Sequence, residues 1–360
     1  MSRSRMQSEI AKRRPNPILA TAAVGSTAPL LNAAPSTPRL GVGMHSYGMQ
    51  WNLARERKAD ARFHDALTFL EYCHSIGAGG VQVAIGVQDQ DYTRRLRERA
   101  ETLGAYIEGQ TSLPREEGDV PRFEAEVRAA KDSGATVMRT AMLSGRRYET
   151  FDSAQAFRDF AERSWKSITL AEPVTKRHGV RLAIENHKDW LVEEFVAMLR
   201  RLGSEHVGAC VDVGNNLALL EDPLEVVTTL APLAVSTHIK DMGVADNDEG
   251  FLLSEVPLGE GCLDLRTMIA TLRRANPKLQ FNLEMITRDP LKIPCLTSKY
   301  WATFGDAPAS RLARTLGFVR TRAAKQPLPR TTDSSEAQKL QAEDDNVRSS
   351  LTYARSELGL

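Results

Sequence analysis

Four short apolar runs in the second half of the chain share one pattern. In 180–185, Val180, Leu182 and Ile184 alternate with Ala183 and Glu185. In 207–213, Val207, Ala209, Val211 and Val213 alternate with Cys210 and Asp212. In 235–240, Val235, Thr237 and Ile239 alternate with Ser236, His238 and Lys240, and in 281–285, Phe281, Leu283 and Met285 alternate with Asn282 and Glu284. Side chains on a strand alternate faces. Each run therefore predicts a strand with a bulky face on one side. Its other face carries a compact residue and then a charged one near the C-terminal end. A parallel closed sheet looks like this, with a packed interior below and a reactive rim above.

The spacing agrees. Glu185 and Asp212 are 27 residues apart, and Asp212 and His238 are 26 apart, against roughly 30 for one strand–helix unit of an eightfold barrel. The longer step from His238 to Glu284 contains the polar stretch 243–257, which reads as a loop insertion. Helical stripes fill the gaps: Leu191, Phe195, Val196, Leu199 and Leu202, then Leu265, Met268, Ile269 and Leu272. In the first half, strands are expected at 40–47, 81–85, 106–111 and 137–142, and helices at 65–76, 92–103, 120–132 and 153–177. Gly77, Gly104, Gly134, Gly179 and Gly203 are placed to end helices. The alternation predicts an α/β fold, a single (β/α)8 TIM barrel over 37–322. An open doubly wound sheet shares the alternation, but charged residues at four different strand ends suit a ring better than one crevice.

Composition narrows the picture. An apolar content of 42% supports a large core, and a net charge of +1 gives no sign of a nucleic-acid or acidic-membrane partner. Cys73, Cys210, Cys262 and Cys295 lack metal-type spacing and read as ordinary thiols. No apolar run is long enough to span a bilayer. Residues 1–36 carry basic residues up to Arg13-Arg14 and then an Ala-rich stretch. Two readings stand for them: a twin-arginine-type export leader cleaved after Ala28 or Ala34, or an N-terminal extension on a cytoplasmic protein. Residues 323–360 read as a polar, loosely docked tail, with Leu340, Val347, Leu351 and Leu358 as the stripe of a short closing helix.

Any one of Glu185, Asp212, His238 and Glu284 alone suits a structural ion pair. On one parity and at one end of neighbouring strands, they point to a metal centre, because grouped deep carboxylates without a cation are costly. One imidazole and three carboxylates suit a borderline-to-hard ion, Mn²⁺ first, with Co²⁺ or Mg²⁺ as alternatives. Around them, Lys240 faces the same mouth, either to bind an anion or stabilise an oxyanion, or as a snorkelling rim lysine. His187 faces inward, as a hydrogen-bond partner for a substrate hydroxyl or as a satisfied rim histidine, and His45 faces inward as a candidate substrate contact. Glu108 and Arg139 face inward on their strands, as substrate contacts or as a pair with each other. Asn215 and Asn216 polarise substrate or shape the turn after Gly214. Arg288, in the long segment 286–307 that reads as a lid, suits an anionic substrate group or a surface salt bridge.

The segments AIENH, VDVGNN, THIKD and NLE, in that order, together with PLGEGCLDL, resemble the sugar phosphate isomerase/epimerase group of the xylose isomerase-like TIM barrels over roughly 38–320. In the ketose epimerases of that group the matching positions hold one divalent ion and the two glutamates move protons. The resemblance thus implies Glu185, Asp212, His238 and Glu284 as ligands, and Glu185 and Glu284 as proton carriers. Gly259, Gly261 and Asp264 read as a tight turn and helix start. The expected function is a divalent-metal-dependent isomerase or epimerase of a sugar or keto-sugar, working through a metal-stabilised enediolate. The alternative is a lyase, a decarboxylase or dehydratase, acting on a keto-sugar acid through the same enolate. An abasic-site endonuclease, which shares the barrel, ranks lower, because its multi-metal chemistry needs more histidine. A non-catalytic binding barrel stands as a fourth reading. The partner is a small carbohydrate, and a homo-oligomer fits as well as a monomer.

Overall fold

Eight parallel strands close into a ring, and one antiparallel excursion interrupts it near the end. The computed structural model describes residues 39–360 apart from 57, 59, 60, 306 and 307; the expected leader lies outside the described residues. In chain order the strands are β1 (Gly41–Gly43), β2 (Gly80–Val83), β3 (Tyr106–Gln110), β4 (Val137–Thr140), β5 (Arg181–Glu185), β6 (Val207–Asp212), β7 (Ala234–Ile239), β8 (Asp241–Asn247), β9 (Gly250–Val256), β10 (Asn282–Leu283) and β11 (Leu291–Ile293). The barrel runs β1-β10-β7-β6-β5-β4-β3-β2, so it is a TIM barrel, while β11-β9-β8 form a separate three-stranded antiparallel sheet.

The helices start and stop where short-range chemistry dictates. Asp89 caps Gln90–Leu103 by accepting from the Tyr92 N–H, and Ser153 caps Ala154–His178 through the Ala156 N–H. Gly104 at φ +60° and Gly179 at φ +64° end these two helices in the left-handed region, where a Cβ would be strained. Their apolar stripes meet the outward strand rows in one large core that includes Val81, Leu182, Ile184, Val211, Ile239 and Leu283.

Four expectations change. Strand β1 is only three residues long; from Met44 the chain turns into a 3-10 segment that carries His45. Val235 does not face outward: a register shift between β6 and β7 turns it against Val137, Ala183 and Cys210 in the barrel interior. The stretch expected as a loop insertion is the hairpin β8–β9. Phe251 and Leu253 anchor it in a second core with Leu217, Tyr148 and Tyr300. The segment expected as a lid is built into that core. Its β11 pairs with β9, the Tyr300 hydroxyl donates to Ala218 O at 2.9 Å, and buried Arg147 donates to Thr303 O at 2.7 Å.

The C-terminal tail is a wall of the barrel. The described residues through Leu360 form one compact unit. Helix Glu336–Tyr353 buries Val347 and Leu351, and Leu358 follows them into the core, while Leu340 stays half-buried. Its acidic residues do the docking. Glu343 accepts from the backbone N–H groups of Met49 (2.8 Å) and Gln50 (3.1 Å), and Asp344 accepts from the Tyr47 hydroxyl at 2.8 Å and faces Arg62 at 2.9 Å. Polar composition hid this contact, because the acids satisfy donors that a shorter chain would leave orphaned.

Glu343→Ala removes the acceptor of the buried Gln50 amide and the half-buried Met49 amide and is expected to lower stability by about 1–3 kcal/mol, read as a lower urea midpoint. Exposed Asp345→Ala is expected to stay within about 0.5 kcal/mol of the parent.

Candidate metal centre and mouth cavity

The ends of four barrel strands bring together Glu185 (β5), Asp212 (β6), His238 (β7) and Glu284 (just after β10). One ligand atom from each lies within 4.8 Å of the other three. Glu185, Asp212 and His238 are wholly buried and Glu284 is 4% exposed. Register sets the convergence: Asp212 pairs with His238, while Glu185 pairs with Cys210, two residues before Asp212, and His238 pairs with Asn282, two residues before Glu284, so the charged residues step along neighbouring strands to one end of the ring.

The surroundings orient these groups for a cation. Gln82 Oε1 lies 2.6 Å from His238 Nε2 and accepts its proton, which leaves Nδ1 facing the carboxylates at 3.3 Å from Glu284 Oε1 and 3.4 Å from Glu185 Oε2. The Asp212 Oδ1 atom accepts from the backbone of Gly214 (2.9 Å) and Asn215 (2.8 Å). Its Oδ2 atom stands 2.8 Å from Lys240 Nζ but off the line of a hydrogen bond. Asp212 Oδ2 and His238 Nδ1 are both left without a hydrogen-bond partner among the described residues. The unpartnered His238 Nδ1 faces Asp212 Oδ2 across 3.8 Å with two more carboxylates beside it, a set that a divalent ion would satisfy. The donor set therefore fits the metal expected from the sequence; its oxygen-rich chemistry favours Mn²⁺, Co²⁺ or Mg²⁺ without selecting among them.

Buried cations balance these acids. Arg139 Nε donates to Glu185 Oε2 at 2.8 Å, Lys240 Nζ donates to Glu284 Oε2 at 2.5 Å, and Arg288 holds Glu255 through both Nε (3.1 Å) and Nη2 (2.5 Å). Burial alone would raise the Glu185 and Glu284 carboxyls. The Arg139 and His238 charges outweigh it at Glu185, and those of His238 and Lys240 outweigh it at Glu284, so both end below the usual carboxylate range. Asp212 stays raised, by burial and by the two glutamates beside it. Burial also sets Glu255 against ionisation, yet the Arg288, Lys188 and Lys240 charges bring it down to about 2.

Above the cluster opens a cavity of about 490 Å³. Its wall includes His45, His187, Arg139, Lys188, Glu284 and Arg288. His45 is pushed down to about 4 and His187 to about 3, chiefly by burial, so both are neutral hydrogen-bonding groups at pH 7.

Glu108, Arg139 and Asn215 each take a partner that the sequence did not show. Glu108 does not reach the mouth and does not pair with Arg139. It sits lower in the barrel, where its Oε2 accepts from Ser236 Oγ (2.5 Å), Asn282 Nδ2 (2.9 Å) and Gln82 Nε2 (3.0 Å). Arg139 pairs with Glu185 instead. Asn215 lies beneath the cavity wall and donates to Glu185 Oε1 at 2.9 Å. Arg288 lines the cavity but has its carboxylate partner in Glu255 rather than at the surface. Gly259 (φ +89°) and the Asp264 cap do form the tight turn and helix start, held by the Asp241 carboxylate, which accepts from the backbone of Gly259, Gly261 and Leu263.

Sequence reasoning missed Gln82, Asn186, Lys188 and Glu255. The parity of β2 already turned Gln82 inward between Val81 and Val83, so that signal was readable. Asn186, which accepts from Asp212 N at 2.8 Å and donates to Asp212 O at 2.9 Å, had no comparable marker. Glu255 was hidden because its hairpin read as a loop.

With this geometry in view, the comparisons fall into place. The family model described as Xylose isomerase-like TIM barrel matches residues 70–309, and the chain belongs to that family. It is 27% identical over 244 residues to 3-oxo-isoapionate decarboxylase of Pectobacterium atrosepticum, an alignment spanning 65% of this chain and 81% of that protein. Among solved structures, D-psicose 3-epimerase in the presence of D-fructose superposes with a TM-score of 0.57 at 14% identity, over 89% of this chain and 100% of the other. A xylose isomerase-like TIM barrel protein of Mycobacterium smegmatis in complex with magnesium gives 0.53 at 16% identity, over 78% and 98%. At these identities the solved structures speak for the fold.

Adding Mn²⁺ to chelator-treated protein at about 100 times its dissociation constant is expected to stabilise it by about 2.7 kcal/mol, read as a higher melting temperature. His238→Ala and Asp212→Asn are each expected to weaken binding by at least about tenfold in calorimetry.

Proposed function

We propose that this protein is a divalent-metal-dependent sugar-processing enzyme whose reaction is the decarboxylation of a 3-oxo sugar acid. One observation carries the choice: of Glu185 and Glu284, only Glu284 reaches the cavity wall, and the other charged groups on that wall are Arg122, Arg139, Lys188 and Arg288 against the single acid Glu126. Glu185 is locked beneath by Arg139 and Asn215. Epimerisation by two opposed bases needs both carboxylates facing the substrate; a decarboxylase needs one proton-bearing group and a place for an anion. The identity to a 3-oxo acid decarboxylase supports the same reading.

The charge balance points the same way. Glu185, Asp212, Glu255 and Glu284 stand against Arg139, Lys188, Lys240 and Arg288. The protein's own charges therefore nearly cancel, and a divalent ion held by Glu185, Asp212, His238 and Glu284 leaves positive charge to be met by the substrate. Such an ion, when bound, supplies Lewis acidity that draws charge toward a ketone oxygen.

The side chains do the rest. Neutral His45 and His187 hold sugar hydroxyls, and the cationic wall orients the carboxyl group. The bond from the carboxyl carbon to its neighbour breaks, CO₂ leaves, and the electron pair passes toward the ketone. The carbon left behind takes a proton that Lys240 Nζ passes through Glu284 Oε2, to which it donates at 2.5 Å, since Glu284 is the member of the pair that lines the cavity. The isomerase or epimerase reading stands second, favoured by the two glutamate oxygens that flank His238 Nδ1 at 3.3 and 3.4 Å.

Incubation with 3-oxo sugar acids, 3-oxo-isoapionate among them, in D₂O is the test. The expected result is CO₂ release with one deuterium at the carbon that lost it. Deuterium exchange or a changed stereocentre without CO₂, on a keto-sugar, would replace this reading with the epimerase. Glu284→Gln is expected to retain part of the metal binding while lowering turnover by about 10²–10⁴-fold.

A further inference from the structure

We infer that Lys188 forms the carboxylate subsite of the mouth cavity and selects acidic sugars over neutral ones. The inference rests on the keto-acid reading for its substrate class. Its grounds are separate.

Lys188 stands three residues past Glu185 and is 2% exposed. Its backbone is pinned, since the Lys188 carbonyl accepts from Arg147 N at 2.8 Å, and its side chain lines the cavity beside Arg139 and Arg288. The other cations near the mouth each face a carboxylate: Arg139 faces Glu185, Lys240 faces Asp212 and Glu284, half-buried Arg288 faces Glu255, and Arg147 faces Glu194. Lys188 faces none within salt-bridge distance among the described residues. Its amine donates instead to Asn215 Oδ1, a neutral acceptor that Lys240 Nζ also approaches at 3.4 Å.

Two ammonium groups therefore converge on one amide oxygen. That arrangement is costly in a dry site, because a buried charge without a counter-charge keeps most of its desolvation penalty. Burial, and after it the Lys240 charge, outweighs the Glu255 and Asp212 carboxylates, which lie beyond salt-bridge distance, and brings the Lys188 amine down to about 8, which leaves it charged at pH 7. An anion entering the cavity supplies the missing partner. A carboxylate suits the position, since Lys188 and the metal ligands flank the same opening and a 3-oxo acid carries its carboxylate close to its ketone.

The experiment compares binding of gluconate and of glucitol, its uncharged counterpart, to the metal-loaded protein by calorimetry. The parent is expected to prefer gluconate. Lys188→Gln keeps a donor for Asn215 but removes the charge, and is expected to lose that preference by at least about tenfold with glucitol binding little changed. Lys188→Arg is expected to retain it. An equal preference in the parent and Lys188→Gln, or no preference in the parent, overturns the inference. Because the probes do not react, a parent that prefers gluconate through Lys188 but releases no CO₂ from 3-oxo acids would sink the decarboxylase reading and leave the subsite standing.

Discussion

Desolvated charge governs this molecule. Glu185, Asp212, Glu255 and Glu284 lie within the dry end of a closed ring, where an isolated carboxylate would be strongly disfavoured. They persist because Arg139, Lys240 and Arg288 are brought against them from other elements at hydrogen-bonding distance. Breaking one such pair would strand a buried charge, so the site tolerates little rearrangement. This constraint makes the candidate metal centre a property of the whole ring rather than of any one strand.

The scaffold delivers these groups in two layers. Within the barrel, Glu108, Ser236, Gln82 and Asn282 form a polar floor, and Gln82 passes its carbonyl oxygen upward to fix the His238 ring. Around the rim, the hairpin β8–β9 brings Glu255 to Arg288, and Asn215 joins Lys188 to Glu185. The second core, with Tyr148, Phe251 and Tyr300, holds that rim rigid where a mobile lid was expected. A pre-formed mouth of this kind can hold its substrate without first ordering a loop, so less binding energy is spent on closure.

Membership of the xylose isomerase-like family and the ligand-like cluster agree with each other, yet neither selects a reaction. The fold supports many chemistries by varying its rim. Here the rim differs from a simple two-base site because Glu185 is held by Arg139 and Asn215 off the cavity wall, and that wall carries Arg139, Lys188 and Arg288. Reaction type is thus written in which carboxylate faces the cavity and in what surrounds it.

The four candidate ligands, the barrel strands and most helix bounds were legible in the chain itself, because period-two and helical patterns are local and each charged strand end sat on a countable parity. The inward turn of Gln82 was equally local and only awaited notice. The tertiary structure alone decided what pairs with what. Glu108 and Arg139 share a face but lie at different heights, so Arg139 meets Glu185 and Glu108 meets Ser236. The tail that looked loose docks through Glu343 and Asp344, whose partners lie nearly three hundred residues earlier. Glu255 reached Arg288 only because a hairpin folded back over the rim. Local periodicity sets which face a side chain takes. Its partner across space depends on ring closure, register shifts and hairpin packing, which no stretch of sequence encodes on its own.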